Sequence, residues 1–235
     1  MWALDRVTMQ SFDEFVESYE DACARGLTLS GESREYFARQ RIAHTQRLCS
    51  RLTRVGTVVD FGCGAGHAAP LLLEAFPPAR TIGIDSSKAA IDAARSRYGD
   101  TVMQFLTADQ DIPHRSVDVV YSNGTFHHID PIDRPRQVAR IFDWLAPGGV
   151  FALWENNPWN PGTRLVMRRI PFDRDAHLLS HRRSVRLLIA GGFHVLGVSF
   201  HFYFPRLLRK LRPFERHLEG LPFGAQYCVV AERAR

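Results

Sequence analysis

The chain has 235 residues, 45% of them hydrophobic and 23% charged, which is enough to bury a full core and excludes a disordered, collagen-like or coiled-coil chain. The formal net charge of +5 is unevenly divided: residues 1–150 carry 16 Lys and Arg against 19 Asp and Glu, and residues 151–235 carry 14 against 6. No signal peptide or membrane span is visible, and the four cysteines form no CxxC pair. We therefore expect a soluble, cytoplasmic protein without a metal site.

Two helices are predicted ahead of the first strand. A capping-box pattern at Ser11 begins an amphipathic helix that includes Tyr19. A second helix is predicted over residues 33–52, where Arg41 interrupts an apolar stripe. Residues 1–54 are thus expected to form a helical cap.

From Val55 onward, short apolar runs alternate with helical patterns. The predicted strands are 58–61, 81–84, 102–106, 117–121, 150–154, 195–203 and 226–231. The predicted helices are 65–76, Ser86 or Ser87 to about 98, 133–145 and 182–190. Strands separated by helical crossovers pair in parallel, so the sequence predicts an α/β fold with a doubly wound, mostly parallel sheet of about seven strands. The last two strands are expected to pair antiparallel at an edge. In one domain, residues 55–155 would form the core and 156–235 a substrate-side segment with the last strands.

A glycine-rich turn, DFGCGAG at 60–66, follows the first predicted strand. Glycine lets the backbone turn tightly and approach a ligand closely, because no Cβ occupies the space. A pyrophosphate-binding turn has the spacing G-x-G-x-x-G. Here Asp60 precedes Gly62, Gly64 and Gly66, which favours a different ligand. A tight turn without a ligand would explain one glycine but not readily three.

Two further acids end predicted strands. Asp85, 23 residues after Gly62, is in position to accept hydrogen bonds from both hydroxyls of a ribose. Asp109 is in position to meet an adenine amino group, and Ser86 and Gln110 adjoin these acids in the predicted site. Each acid has a plainer alternative, a helix cap for Asp85 and a solvated loop for Asp109. Together with the glycine turn, Asp85 favours an adenosine-type ligand.

The chain resembles the class I, Rossmann-like S-adenosylmethionine-dependent methyltransferases of the small-molecule type. The resemblance rests on VVDFGCGAG at 58–66, GIDSS at 83–87, TADQDIP at 107–113, VDVVYSNGTFHHIDP at 117–131, LAPGGVFALWE at 145–155 and LLIAGGF at 187–193. It implies S-adenosylmethionine as the cofactor, with Asp60 and the three glycines around its methionine end. It also implies Asp85 at the ribose, Asp109 at the adenine amine and Asn123 near the sulfonium.

Two residues of the predicted helical cap are further cofactor candidates. Arg41 can reach the cofactor carboxylate, or its stem can pack while its head reaches water. Tyr19 can close over the cofactor, as tyrosines in this region do in similar enzymes, or it can pack in the core. The sequence leaves both alternatives open.

His127 and His128 follow the fourth predicted strand, at the carboxyl edge where ligands of parallel sheets bind. Histidine titrates near neutrality, so either can take a proton from a hydroxyl or an acidic carbon. Methyl transfer mainly needs positioning and exclusion of water, so both can instead only shape the pocket. Transfer to oxygen or carbon is favoured, with either histidine as the candidate base.

The sequence also restricts the acceptor. The fourth strand ends in SNGT at 122–125, unlike the N/D-P-P-Y/F motif of methyltransferases that act on exocyclic amines. The chain has only two lysines, which argues against a 2′-O-methyltransferase of the lysine-tetrad type. We therefore expect a small-molecule acceptor and no nucleic acid. The candidate acceptor-binding residues after the fifth strand are Asn156, Asn157, Trp159, Arg164 and Arg168. Asn-Pro pairs also form turns for local reasons, which is the alternative.

Basic and apolar residues alternate over residues 206–216. With the positive charge of residues 151–235, this pattern predicts an anionic acceptor, a lipid-linked phosphate or peripheral contact with a membrane surface. A solvated basic helix is the alternative. Two other functions stay open: a nicotinamide-dependent oxidoreductase, which would prefer NAD, and a noncatalytic cofactor-binding partner subunit, which would bind the cofactor without methyl transfer.

Overall fold

The computed structural model describes residue 28 and residues 30–77, 79–169 and 176–234. The helix predicted to begin at Ser11 and the candidate Tyr19 lie outside these residues. Among the described residues, no helix is both long enough and apolar enough to cross a membrane.

A seven-stranded sheet forms the centre of the fold. Its strands are β1 (Thr57–Phe61), β2 (Arg80–Asp85), β3 (Met103–Thr107), β4 (Val117–Asn123), β5 (Leu145–Asn156), β6 (His194–His201) and β7 (Gln226–Glu232). Their order is β3-β2-β1-β4-β5-β7-β6. The first five strands pair in parallel, and β7 pairs antiparallel with both β5 and β6. The predicted doubly wound, mostly parallel sheet with an antiparallel edge pair is thus confirmed.

Helices cover both faces of the sheet. They are α1 (Arg34–Leu48), α2 (Ala69–Ala75), α3 (Lys88–Tyr98), α4 (Arg134–Trp144), α5 (Pro161–Arg169) and α6 (His181–Ala190), with a 3₁₀ helix over Arg206–His217. Ile42 of α1 and Leu72 of α2 pack with Val58 on one face. On the other face, Ile141 of α4 and Leu188 of α6 belong to a separate cluster. Alternate residues of each buried strand therefore contribute to two different cores.

Several element boundaries differ from the sequence prediction. The helix predicted over 65–76 begins at Ala69, because the glycine turn continues through Gly66 with positive φ angles. The strand predicted from Val150 begins at Leu145, and the helix predicted over 33–52 ends at Leu48. The sequence predicts no helix at α5. It leaves open a basic helix within residues 206–216, where the structure has the 3₁₀ helix.

The carboxyl edge of the parallel strands collects the ends of several other elements. Asn156 at the end of β5 pairs with Gln226 at the start of β7, which in turn pairs with His201 at the end of β6. The connection over residues 202–225, including the 3₁₀ helix, therefore starts and ends at this edge. In the strand order, β1 lies between β2 and β4, where ligands of doubly wound sheets bind.

Candidate functional site

The glycine turn is held against the end of β2. The backbone N–H groups of Gly62 and Cys63 both donate to the Ile84 carbonyl, at 2.8 and 3.1 Å. The φ angles of Gly62, Gly64 and Gly66 are +79°, +52° and +77°, which side chains other than glycine rarely adopt. The three glycines are thus required by the backbone conformation of the turn itself.

The surroundings of the three glycines differ. A Cβ on Gly62 would lie 2.1 Å from Thr125 Oγ1, and a Cβ on Gly66 would lie 2.7 Å from Phe105 Cε1. A Cβ on Gly64 would meet no atom within 4 Å. Close packing within the protein accounts for the first and third glycines, and only Gly64 borders open space. The prediction that the glycines clear room for a ligand therefore rests on Gly64.

Asp85 links the glycine turn to the start of α3. Its Oδ2 accepts a hydrogen bond from the Gly64 N–H at 2.8 Å, and its Oδ1 accepts one from the Ser87 N–H at 2.9 Å. Ser87 is the helix cap, accepting from the Ala90 N–H, while Ser86 is exposed. Burial raises the pKa of Asp85, and hydrogen bonds from backbone N–H groups oppose this increase. A carboxylate oxygen has two lone pairs, so each oxygen can accept a further hydrogen bond.

Asp60 is buried on β1, close to this carboxylate. Burial and the negative charge of Asp85 together raise its pKa to about 7, against the opposing positive charge of Arg41. A cation bound beside it would favour the ionised form.

Arg41 does not extend to solvent. The residue is buried, its Nε donates to the Tyr121 hydroxyl at 3.1 Å, and its Nη1 donates to Gln226 Oε1 at 3.0 Å. Tyr121 lies beside Asp60 in the pairing of β4 with β1. No carboxylate in the described part of the chain lies within 4.0 Å of this guanidinium. A buried arginine held in place by neutral partners is suited to binding an anion.

Three other cofactor candidates lie at the same edge. Asn123 ends β4, and its buried Oδ1 has no hydrogen-bond partner among the described residues. Asp109 is exposed, and a hydrogen bond with the Thr107 side chain lowers its pKa. Gln110 Oε1 accepts from the Thr107 N–H at 3.0 Å. Because Thr107 pairs with Asp85, the turn over residues 107–110 lies beside the ribose candidate.

His127 forms a buried pair with Glu155, a residue that the sequence analysis did not select. Glu155 Oε2 lies 2.6 Å from His127 Nδ1, its Oε1 accepts from the Phe126 N–H at 2.8 Å, and the two side chains are 0% and 2% exposed. With Nδ1 donating to this carboxylate, Nε2 is the nitrogen of the neutral ring that can accept a proton. The sequence contains a signal for Glu155, because this acid lies next to the end of a buried strand, at the edge where His127 lies.

His128 has different surroundings. Its ring centroid lies 4.1 Å from that of His127, and its charge lowers the pKa of Asp85. It is also less buried than His127. The structure therefore distinguishes the two candidate bases: His127 has an orienting carboxylate, and His128 lies on the side of the ribose candidate.

The candidates after β5 divide into structural and exposed groups. Asn157 is buried, and its amide donates to the carbonyls of Pro222 and Gly224 at 3.0 and 2.8 Å, which uses both of its hydrogens. Asn156 Oδ1 accepts from Gln226 Nε2 at 3.0 Å, so it adjoins the partners of Arg41. Trp159 is 46% exposed. Asn157 thus holds the segment that precedes β7 in place.

The two arginine candidates lie on α5. Arg164 and Arg168 are exposed, and neither forms an ion pair with a described carboxylate. The structure does not bring them into the cluster around Asp85. They remain candidates for the outer part of an acceptor site.

A second polar cluster lies between α1 and β6. Arg47 Nη2 lies 3.1 Å from His44 Nδ1, His44 Nε2 lies 3.1 Å from Ser199 Oγ, and Ser199 Oγ lies 2.7 Å from His201 Nε2. Because arginine only donates, each hydrogen bond in this series is donated in the direction from Arg47 to His201. Burial lowers the pKa of His44 to about 4 and that of His201 to about 3. Atoms of both histidines and Glu219 lie within 4.8 Å, but the hydrogen-bond chain explains the cluster without a metal.

Comparison with known proteins gives the following relatives. Residues 58–149 match the family described as "Methyltransferase domain". The trans-aconitate 2-methyltransferase of Variovorax paradoxus is 31% identical over 163 residues, covering 67% of this chain and 62% of that protein. The enzyme of the same name from Methylobacterium radiotolerans is 32% identical over 112 residues, covering 48% and 42%. The chain therefore spans about half the length of the curated relatives it matches.

A solved structure extends the comparison of folds. An S-adenosylmethionine-dependent methyltransferase from Thermotoga maritima superposes with a TM-score of 0.67 at 19% identity, covering 96% of this chain and 99% of that one. At this identity the likeness concerns the fold alone.

Proposed function

Because residues 58–149 of this chain belong to the methyltransferase domain family, we propose that the protein is an S-adenosylmethionine-dependent methyltransferase. Its acceptor is a small anionic molecule, methylated on oxygen or on an acidic carbon. The observation that carries the proposal is the Asp85 carboxylate, which the Gly64 N–H holds beside the one open position of the glycine turn. A carboxylate fixed next to open space at this edge is suited to the two hydroxyls of a ribose.

The other groups at the edge fit the rest of this cofactor. Asn123 Oδ1 is a buried acceptor that lacks a donor in the described part of the chain, and the cofactor offers an ammonium group. Arg41 offers a fixed, buried guanidinium for a carboxylate. Asp109 would accept from the adenine amine. S-adenosylmethionine, when bound, supplies an electrophilic methyl group, while these residues hold and orient it.

The charges around the turn support a cationic ligand. Burial and the negative charge of Asp85 raise the pKa of Asp60, and a positive charge beside the two acids would oppose this increase. The cofactor offers two positive charges, its ammonium group and its sulfonium. The acids therefore favour a cationic ligand such as S-adenosylmethionine.

Support for an anionic acceptor comes from the charge distribution and from the relatives. Residues 151–235 carry the excess of arginine, and Arg164 and Arg168 are exposed beyond the end of β5. Two relatives are named trans-aconitate 2-methyltransferases, and trans-aconitate is a tricarboxylate. We therefore rank small carboxylic acids first among acceptors and phosphorylated or lipid-linked anions second. Peripheral membrane contact, if it occurs, would use the exposed residues of 206–216.

His127 is the residue we propose as the base. Glu155 contacts its Nδ1 and thereby orients the ring, and Nε2 is the nitrogen that would take a proton from a hydroxyl or an acidic carbon. The backbone N–H of Phe126 holds the second carboxylate oxygen, so the pair is fixed from both sides. The chain would thus contribute orientation, exclusion of water and one proton acceptor.

Two measurements test the proposed function. Calorimetry with S-adenosylhomocysteine and with NAD separates a methyltransferase from a nicotinamide-dependent oxidoreductase, and a preference for NAD would refute the proposal. Incubation with methyl-labelled cofactor and a panel of carboxylic acids, phosphorylated metabolites and neutral alcohols then identifies the acceptor. We expect incorporation into an anionic member. Cofactor binding without incorporation into any panel member or a metabolite extract would instead support the noncatalytic subunit.

A further inference from the structure

The loop that carries His127 is anchored by a buried arginine. Arg134, the first residue of α4, is 5% exposed. Its Nε donates to the Ile129 carbonyl at 3.0 Å, and its Nη2 donates to the His177 carbonyl at 2.7 Å. The His177 N–H in turn donates to the His127 carbonyl at 2.9 Å. Arg134 thus holds the loop directly at Ile129, and it holds the loop at His127 through the backbone of His177.

The backbone around His177 is itself fixed. Two residues further along the chain, the Leu179 carbonyl accepts a hydrogen bond from the Tyr227 hydroxyl at 2.7 Å, and both of these side chains are buried. Tyr227 lies beside Glu155 in the pairing of β7 with β5. The carbonyl to which Arg134 donates in this segment is therefore held near the strand that carries Glu155.

The charge of Arg134 also acts on Glu155. Burial lowers the pKa of Arg134, and the negative charge of Glu155 opposes this decrease, so the two groups attract each other. Glu155 is 0% exposed, and a buried carboxylate is costly unless hydrogen bonds and positive charge compensate it. A neutral donor could satisfy the two carbonyls, so positive charge near Glu155 is what an arginine adds at this position.

We propose that Arg134 is a positioning residue for His127, an inference that rests on the proposed role of His127 as the base. Glu155 orients the imidazole ring, whereas Arg134 fixes the backbone from which the ring extends. A base must lie within about 2.6–3.2 Å of the atom whose proton it takes. A displacement of about 1 Å can cost about 10² in rate. Without the two hydrogen bonds of Arg134 the loop could shift, and proton transfer would slow although the ring and its carboxylate are unchanged.

A double-mutant cycle in the full chain tests this role. Arg134→Gln, His127→Gln and their combination are compared with the wild type in single-turnover methyl transfer from labelled cofactor to the best acceptor of the panel. We expect Arg134→Gln to lower kcat about 10- to 100-fold when His127 is present. In the His127→Gln background it should change kcat by less than about twofold, because no base is left to position. Affinity for S-adenosylhomocysteine should stay at the wild-type value, since the hydrogen bonds of Arg134 go to Ile129 and His177.

Arg233→Gln is the matched control. Arg233 Nη1 also donates to backbone carbonyls, those of Phe142 and Leu145 at 2.7 and 3.1 Å, but at the other end of α4 and at the start of β5. This variant should lower the thermal stability and leave kcat unchanged. If Arg134→Gln does not fold, Arg134→Lys takes its place in the same cycle, because lysine keeps the charge but lacks the planar fork.

The results that would overturn the inference differ from those that would overturn the proposed function. An equal loss of kcat in both backgrounds, or an unchanged kcat in a folded Arg134 variant, would leave Arg134 a purely structural residue. A folded His127→Gln variant with the wild-type rate would refute His127 as the base, and Arg134 would then have no base to position. Absence of methyl transfer by the wild type to every acceptor of the panel would refute the proposed reaction itself.

Discussion

Replacement of Glu155 by glutamine is the sharpest test of the proposed catalytic pair. Glutamine keeps the size of the side chain, and its carbonyl oxygen can still accept from the Phe126 N–H now bound at 2.8 Å. Its NH₂ group, however, would face His127 Nδ1, which the carboxylate now approaches at 2.6 Å. The ring would then carry its hydrogen on Nε2 and lose the lone pair that takes the proton.

The expected size of the effect follows from the role of the pair. Positioned general bases contribute about 10²–10⁴ in rate, and the corresponding carboxylate-to-amide change in a serine-protease triad costs about 10⁴. We expect kcat for Glu155→Gln to fall within that range, equivalent to about 3–5 kcal/mol. Affinity for S-adenosylhomocysteine should hardly change, because Glu155 does not contact Asp85 or Arg41.

The assay is single-turnover methyl transfer from labelled cofactor at several pH values, with thermal unfolding to verify folding. His128→Gln serves as the matched control, since its ring lies next to that of His127 and Glu155 contacts the ring of His127. A folded Glu155→Gln variant with the wild-type rate and pH profile would refute the assignment of His127 as a base. The reacting atom would then be one that carries no proton at neutral pH, such as a carboxylate oxygen.

Three other predictions concern the cofactor turn and stability. Asp85→Ala should weaken S-adenosylhomocysteine binding by about 1–3 kcal/mol in calorimetry, and an unchanged affinity would remove Asp85 from the site. Gly66→Ala should cost about 1–3 kcal/mol in urea unfolding, because its Cβ would lie 2.7 Å from Phe105, whereas Gly64→Ala should cost less stability and more cofactor affinity. In the folded chain the pKa of His44 is lowered to about 4 and that of His201 to about 3, from the ordinary 6.5. Between pH 6.5 and these lowered values the unfolded chain therefore binds more protons than the folded chain. Stability should therefore fall as the pH drops below 6.5, by at most about 1.4 kcal/mol per pH unit for each histidine, and His201→Gln should reduce that slope relative to wild type.

Much of the fold could be predicted because the signals are local. Buried parallel strands appear as short apolar runs, as in VVDF at 58–61, and each is followed by a helical pattern. The turn geometry was harder to predict. Positive φ angles through Gly66 delay the start of α2 by several residues, and periodicity does not report φ.

The candidate site shows the same division. Positions at strand ends, such as Asp85 and Asn123, could be predicted because topology alone brings strand ends to one edge. Contacts between residues that lie far apart in the sequence could not be predicted. The hydrogen bond of Arg41 with Tyr121 and the pair of His127 with Glu155 join residues 80 and 28 positions apart, and no spacing rule connects them. Asn157 shows the opposite case. Its position at the strand end suits an acceptor site, but its amide group is used in hydrogen bonds to the backbone of the segment before β7.

The opposite charges of the two parts of the chain meet at one edge for a topological reason. The acids Asp60 and Asp85 come from β1 and β2, which end at the carboxyl edge of the parallel half of the sheet. The arginine-rich 206–216 segment reaches the same edge only because β7 runs antiparallel and so starts where β5 ends. Arg41 lies between them, bonded to Gln226 on one side and lowering the pKa of Asp60 on the other. The proposed cationic cofactor and the proposed anionic acceptor would therefore bind to different strands yet meet at one edge, and the antiparallel direction of β7 is the feature of the fold on which this arrangement depends.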